Sequence, residues 1–465
     1  MDGTRIERDS MGAMAVPAEA YYGAQTARAV QNFPISGLRF PRPFLRALGI
    51  VKAACARVNR SCGQLEPGIA DAILAAAAEM IDGRLDREFV VDVMQTGSGT
   101  STNMNANEVL ANRAIELLGG ARGTRTVHPN DHVNLGQSSN DVFPTAIHVA
   151  AYAQIAAELL PALDELARAF EGRAAVFHDV VKAARTHLQD AVPMTLGQEF
   201  SGYGSVVRHG IARVTATLGD VAELAIGGTA AGTGLNAPSG FGARVTAEIA
   251  SMTGLPFVAA RNPFEALQNR DAALQTSGAL RTVAVGLMKI ANDLRLLASG
   301  PRTGLAEITL PAVQPGSSIM PGKVNPVIPE AVNQVAALVI GHDATIGVAA
   351  MNGSLDLNAM MPVIAHALLE SIAVMTNASR VFARRCVTGI EADVAQCRRY
   401  GERTGQLVAA IAPVIGYDRA AALSERARER DVPIRVILEE EQVLPVEDLE
   451  RLLDLQRLAR GGRVG

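Results

Sequence analysis

An all-α subunit built around a bundle of long helices is what this 465-residue chain predicts. Apolar residues recur at helical spacing over long central stretches, and alternation with a period of two never persists beyond short segments. Aromatic residues are only 4% and Trp is absent, so the core must be packed from Ala, Leu, Val, Ile and Met, which suits helix against helix.

Short helical patterns fill the first third and are broken by polar, glycine-rich punctuation at residues 95–102 and 128–140. From 144 to about 175, Ile147, Ala151, Ile155, Leu159, Leu163, Leu166 and Phe170 mark one face of a long amphipathic helix, with Pro161 as the expected kink. A second run, 264–299, places Leu280, Val283, Leu287, Ile290, Leu294 and Leu297 at spacings of three and four, a heptad seam that stops at Gly300-Pro301. Such a seam predicts apolar surface that one subunit leaves partly uncovered. A third helix opens at 326–330 and continues through Val332, Val335 and Val339. Helices of about 30 residues far exceed the usual ~10–14 and are expected to pack antiparallel in a bundle. From Glu391 onward charge is denser, and a small helical appendix with solvated faces is expected. The division expected is 1–136, 137–390 and 391–465.

Composition narrows the function. With 43 Lys and Arg against 47 Asp and Glu, the formal charge is −4, which argues against nucleic acid or anionic lipid as partner. Four scattered cysteines, Cys55, Cys62, Cys386 and Cys397, lack the spacing of a disulfide scaffold or a zinc site and suit reduced thiols. The first seven residues hold no apolar signal-peptide core, and the charge-free stretch 224–243 is too rich in glycine for a membrane span. A cytoplasmic protein is expected.

Four polar segments are foreign to a helical core. In Gln95-Thr-Gly-Ser-Gly-Thr-Ser-Thr-Asn-Met-Asn105, Ser98, Gly99 and Thr100 can offer hydroxyl and backbone donors to an anion, or simply form a capped loop. In His128-Pro-Asn-Asp131 and Gln137-Ser-Ser-Asn-Asp141, helix capping explains one of Ser138, Ser139 and Asn140 but not three consecutive donors, which suit a carboxylate. His128 and His132 lack the further ligands that a metal requires. In Arg185-Thr-His-Leu-Gln189, Thr186 and His187 stand among polar neighbours. The fourth segment, Pro315-Gly-Ser-Ser-Ile-Met-Pro-Gly-Lys-Val-Asn-Pro326, packs three prolines, two glycines and two serines beside Lys323 and Asn325. So long a polar loop between apolar helices points to function, and its charge and N–H groups can neutralise a dicarboxylate that gains charge on losing a carbon-bound proton. Glu330, just inside the next helix, can orient a histidine.

Gly316-Ser-Ser-Ile-Met-Pro-Gly-Lys-Val-Asn325 resembles the signature loop of the fumarase/aspartase superfamily, and the other three segments resemble its remaining site regions in the same order. The resemblance spans essentially the whole chain. It implies a three-domain helical subunit and a homotetramer whose sites are each shared by three subunits. Thr96-Gly-Ser-Gly-Thr100, Ser138-Ser-Asn-Asp141 and His128-Pro-Asn-Asp131 are similar to the class II fumarases. The stretches 190–200 and 325–335, with Tyr21-Tyr-Gly23 and the Met361-Pro-Val-Ile364 neighbourhood, mostly flank the substrate segments and look closer to the aspartases. The resemblance therefore implies reversible hydration of fumarate to L-malate, with elimination of ammonia from L-aspartate as the alternative. It assigns Ser317 as base and His187, oriented by Glu330, near the leaving group. Ser98, Gly99, Thr100, Ser138, Ser139, Asn140, Thr186, Ser318, Lys323, Val324 and Asn325 would hold substrate, and His128, Pro129, Asn130 and Asp131 a secondary anion. The chemistry requires no metal or organic cofactor.

Overall fold

The computed structural model describes residues 3–462 and is mostly helical, 62% of the chain. Met1 and Asp2 of the N-terminal segment and the last three residues of the C-terminal one lie outside the described residues. The expected helix at 144–175 is present within a longer run: an α-helix at Ser139–Gln154, a π turn at Ile155–Leu159, and an α-helix at Leu160–Val176. Pro161 explains the interruption, since it has no N–H to return to residue 157 and its ring crowds that carbonyl, and a widened turn relieves both.

The run 264–299 is not one helix. It resolves into Pro263–Gln268 and Asp271–Leu297, because Asn262 caps the short helix through its side chain and Asn269 stands extended at φ −109°, ψ 158°. The heptad seam is also satisfied internally: Leu280, Val283, Leu287, Ile290, Leu294 and Leu297 are all buried within the chain. The apolar surface left over lies elsewhere. Ser139–Val176, Val327–Ala350 and Met361–Gly389 are long and apolar enough to cross a membrane by length and composition, yet their most apolar windows are 56%, 28% and 61% buried in the chain. Val327–Ala350 is thus the least covered, with Leu338 and Val348 exposed.

The chain divides into two compact units that interleave along the sequence, Met1–Pro161 with Ala212–Thr282 and Ala337–Met375, and Ala162–Ile211 with Val283–Ala336 and Thr376–Gly465. In the first, Phe44 packs between Phe40 and Phe143, with ring centroids 4.5 and 4.9 Å away. In the second, Phe170 meets Phe200, Tyr203 and Phe382. There the C-terminal helices close on Leu407, Ile411, Leu423, Ile437 and Leu452, and the charge runs lie outside as exposed pairs such as Arg426 with Glu441.

Two antiparallel hairpins escaped the helical pattern. Thr4–Asp9 pairs with Gly12–Pro17, and Val181–Thr186 with Gln189–Thr195. Both are too short for alternation to stand out, but the second carries a site segment.

Candidate active site

Within the first unit, two separate segments are drawn into one chain of hydroxyls. Ser98 Oγ lies 2.8 Å from Thr100 Oγ1, which lies 2.8 Å from Ser139 Oγ. Glycine makes this approach possible. Gly99 has φ +75° and caps the helix Thr100–Leu117, and a Cβ there would stand 2.1 Å from the Phe143 ring, one turn beyond Ser139. Gly97 is tighter still: a Cβ would fall 1.9 Å from the Ala359 carbonyl oxygen.

Ser138 is the N-cap of its helix, its Oγ accepting from Asn140 N–H while Asp141 accepts from Ser138 N–H, a capping box. Ser139 and Asn140 remain as the outward donors, and Asn140 Nδ2 donates to the Ala230 carbonyl at 2.8 Å. Asp141 was not among the expected site residues, yet it fastens the region. Its second oxygen accepts from Gly227 and Thr229 N–H, both at 2.9 Å. Burial pushes its carboxyl up to about 6, against the pull of those three N–H donors. Behind it lies another group the sequence reading passed over, Lys52, fully buried in the helix Arg42–Ser61. A lysine in phase with Leu48, Val51 and Cys55 on the buried face was the available signal.

His128 is engaged locally. Its Nδ1 accepts from Asn130 and Asp131 N–H at 3.3 and 3.1 Å, so the proton of the neutral ring sits on Nε2. His132 Nδ1 in turn accepts from His128 N–H. Asn130 and Asp131 are exposed beside them.

Within the second unit, Thr186 and Gln189 pair across a two-residue turn made by His187 and Leu188, at φ +56° and +59°. Turns with positive φ at both central positions favour Asn-Gly; side chains with a Cβ are strained there by ~1–2 kcal/mol each. His187 is therefore presented to solvent at the tip of a hairpin against local preference, a placement that marks functional sites. A buried ion cluster fixes the hairpin's stem: Lys182 lies 2.5 Å from Glu199 and 2.7 Å from Glu307, and Arg185 donates to Glu307 at 2.8 Å.

The 315–325 loop is closed by its own backbone. Gly316 N–H donates to the Lys323 carbonyl at 2.8 Å, and Asn325 Nδ2 donates to the Gly316 carbonyl at 2.6 Å. A Cβ on Gly316 would meet Asn325 N at 2.7 Å and Lys323 O at 2.8 Å, so only glycine closes this ring. Inside it, Ser317 Oγ accepts from Ile319 and Met320 N–H at 3.2 and 3.0 Å. Ser318, Lys323 and Val324 are exposed, and Lys323 has no ion pair among the described residues. Glu330 is half-buried in Val327–Ala350 and makes no hydrogen bond or ion pair with His187 within the described chain. A cavity of about 260 Å³ lined by His148, Glu223, Arg261 and Arg270 contains none of the expected site residues.

The family described as Lyase matches residues 12–341, and that described as Fumarase C C-terminus matches 407–460. A class II fumarate hydratase of Mycobacterium tuberculosis H37Rv is 54% identical over 98% of this chain and 96% of its own length. That of Thermosynechococcus vestitus is 49% identical over 97% of each. Among solved structures, a recombinant class II fumarase from Schistosoma mansoni superposes with a TM-score of 0.96 at 40% identity, covering 98% of this chain and 99% of that one.

Proposed function

The chain belongs to the fumarase/aspartase superfamily as a class II fumarate hydratase, a carbon–oxygen lyase acting on a small dicarboxylate, and from that premise we propose how its residues divide the work. Malate and fumarate differ by water across one carbon–carbon bond. Ser317 takes the proton from the carbon beside one carboxylate, whose electrons move into that carboxylate and give a doubly charged aci-carboxylate. The hydroxyl then leaves from the neighbouring carbon as water with a proton supplied on the His187 side.

A serine hydroxyl is a weak base unless its anion is held. The observation that carries this assignment is that Ser317 Oγ already receives two backbone N–H bonds, from Ile319 and Met320. Those donors, with the unpaired ammonium of Lys323, favour the deprotonated oxygen. Lys323 also offsets the second charge on the aci-carboxylate, with one N–H of Asn325 left over from closing the loop. Ser98, Gly99, Thr100, Ser139 and Asn140, together with Thr186, Ser318 and Val324, grip the carboxylates, Ser138 acting mainly by capping. The 128–131 turn is read as a secondary anion site through Asn130 and the ring N–H of His128.

His187 and Glu330 do not meet inside one chain, so their pairing is assigned to neighbouring copies in a homotetramer whose sites draw on three subunits. The exposed apolar side of Val327–Ala350 supports this reading. We also read the chain's course as the segments 1–136, 137–390 and 391–465, and its compartment as the cytoplasm, where its four free cysteines stay reduced.

Mixing Ser317→Ala subunits with His187→Asn subunits tests the composite site: partial recovery of fumarate formation, followed by its ultraviolet absorbance, is expected. Two inactive parents that never complement would place both residues in one subunit's site. L-aspartate should yield no fumarate in the same assay.

A further inference from the structure

Lys52 is a fully buried charged side chain whose hydrogen bonds go to amides rather than to a carboxylate. It is 0% exposed, and its ammonium donates to Asn134 Oδ1 at 3.1 Å and Gln137 Oε1 at 2.9 Å. Burying an ammonium is costly unless its protons are used, so the arrangement calls for a reason. The acceptors supply one. Asn134 and Gln137 bracket the turn that delivers Ser138, Ser139 and Asn140, and they are bound to it from within: Asn134 Nδ2 donates to the Gln137 carbonyl, and Gln137 Nε2 to those of Val133 and Leu135.

The same turn is held from two further sides. Asn103 and Asn107, on the helix that Thr100 opens, both donate to Asn134 Oδ1 at 3.1 Å, and Asn59, two turns beyond Lys52, donates to the Leu135 carbonyl. Asn134 Oδ1 thus collects three donors. That one oxygen ties the lysine's helix to the helix carrying Thr100. The hydroxyl chain from Ser98 through Thr100 to Ser139 depends on the relative placement of those same elements.

We propose that Lys52 is a positioning residue for catalysis: its ammonium clamps the 134–137 turn so that the Ser139 and Asn140 donors stand in register with Thr100 for one substrate carboxylate. The inference rests on the reading that these donors grip substrate. Lys52 touches no substrate itself. Its removal leaves Gln137 Oε1 without that donor in a buried site, and the turn relaxes. A displacement of about 1 Å at such a site costs up to ~10²-fold. Because the grip acts on bound substrate as well as on the transition state, the loss appears in KM more than in kcat.

The test uses the full-length enzyme with L-malate. Lys52→Met keeps the length and apolar fit of the side chain, and it is expected to raise KM about tenfold or more with kcat changed far less. A purely structural lysine would instead lower the melting temperature and the active fraction, leaving KM where it was, and that result overturns the inference. Asn134→Ala removes the acceptor while retaining the charge. It should raise KM alike, and the double variant should be no worse than the worse single one; independent, multiplying effects overturn the clamp. If Lys52→Met does not fold, Asn134→Ala alone decides by the same KM criterion. Ser139→Ala separates the two layers. Unchanged KM there removes the grip reading and the inference with it, whereas raised KM there beside normal KM in Lys52→Met overturns the clamp alone.

Discussion

The turn at 134–141 and the loop at 315–325, both assigned to the substrate site in the proposed function, are held by opposite means. The first is anchored from beneath by buried side chains drawn from distant parts of the sequence, Lys52, Asn103 and Asn107, and by its own Asp141, which accepts from Gly227 and Thr229 N–H. The second is closed only by its own backbone and one amide, and most of its side chains are exposed. On the proposed roles, the Ser139 and Asn140 donors rest on packed supports. Ser317, the proposed base, sits on a ring whose shape is local and whose stability costs the rest of the molecule little.

Breaking the loop should therefore damage chemistry and spare the fold, while breaking the turn should damage both. The largest effect is expected from Ser317→Ala, which should lower kcat by about 10²–10⁴-fold, the scale of a lost general base, with dicarboxylate inhibitors still bound within a few-fold and the melting temperature unmoved. Lys323→Ala should impair inhibitor binding and turnover together, since its charge serves both states. Near-normal turnover in Ser317→Ala would reduce the serine to part of the anion cradle.

The glycines give the next contrast. Gly99→Ala forces a Cβ to within 2.1 Å of the buried Phe143 ring at φ +75°, and a destabilisation of about 2–4 kcal/mol is expected from overpacking and strain together. Gly316→Ala creates a milder overlap, 2.7 Å to Asn325 N and 2.8 Å to Lys323 O, and should leave the denaturation midpoint nearly unchanged while lowering kcat. Equal losses of stability in the two variants would erase the distinction between turn and loop.

Asp141→Asn is a subtler probe of the turn. All three bonds that the carboxylate accepts come from N–H groups, so the amide must point its own N–H at a donor. About 1–3 kcal/mol of stability should be lost in denaturant titrations, despite removal of a buried charge.

The last probe of the turn is the dependence on pH. Burial lowers the Lys52 ammonium from 10.5 to about 7, so between those values the unfolded chain binds more protons than the folded one. The lysine's unfavourable contribution is full below pH 7 and fades as pH rises, and stability climbs across that window. At fixed protein concentration, the melting temperature of the native chain relative to Lys52→Met should increase from pH 7 to 9. A flat difference would mean that the ammonium is better solvated than its burial implies.

Residues of the loop were legible because polar side chains interrupt apolar periodicity there in one continuous stretch, and Ser138, Ser139 and Thr100 stood out likewise. The supports of the turn were not. Lys52 is one lysine in a helix, and only its phase with Leu48 and Val51 distinguishes it from a solvated one. Gly227 and Thr229 lie 86 and 88 residues from Asp141, a pairing that no local pattern carries. The long helices were readable from their spacing, but the break at Asn269 was hidden because apolar phase continues across it. The strained turn at His187 was invisible for a different reason: turn chemistry favours other residues there, and the structure overrides it.

The sparsely covered helix Val327–Ala350, whose most apolar window is 28% buried in the single chain, bears on how the protein comes into being. In the proposed tetramer, a helix so short of intramolecular neighbours would draw its remaining stabilisation from association, and its last stage of folding would be bimolecular. Refolding yield should then rise with protein concentration until aggregation competes, and the midpoint of denaturation should shift upward on concentrating the sample. The loop that carries Ser317 leads directly into this helix. On the proposed assembly its ordering would be tied to the encounter of subunits, and activity should lag behind the recovery of helical signal during refolding.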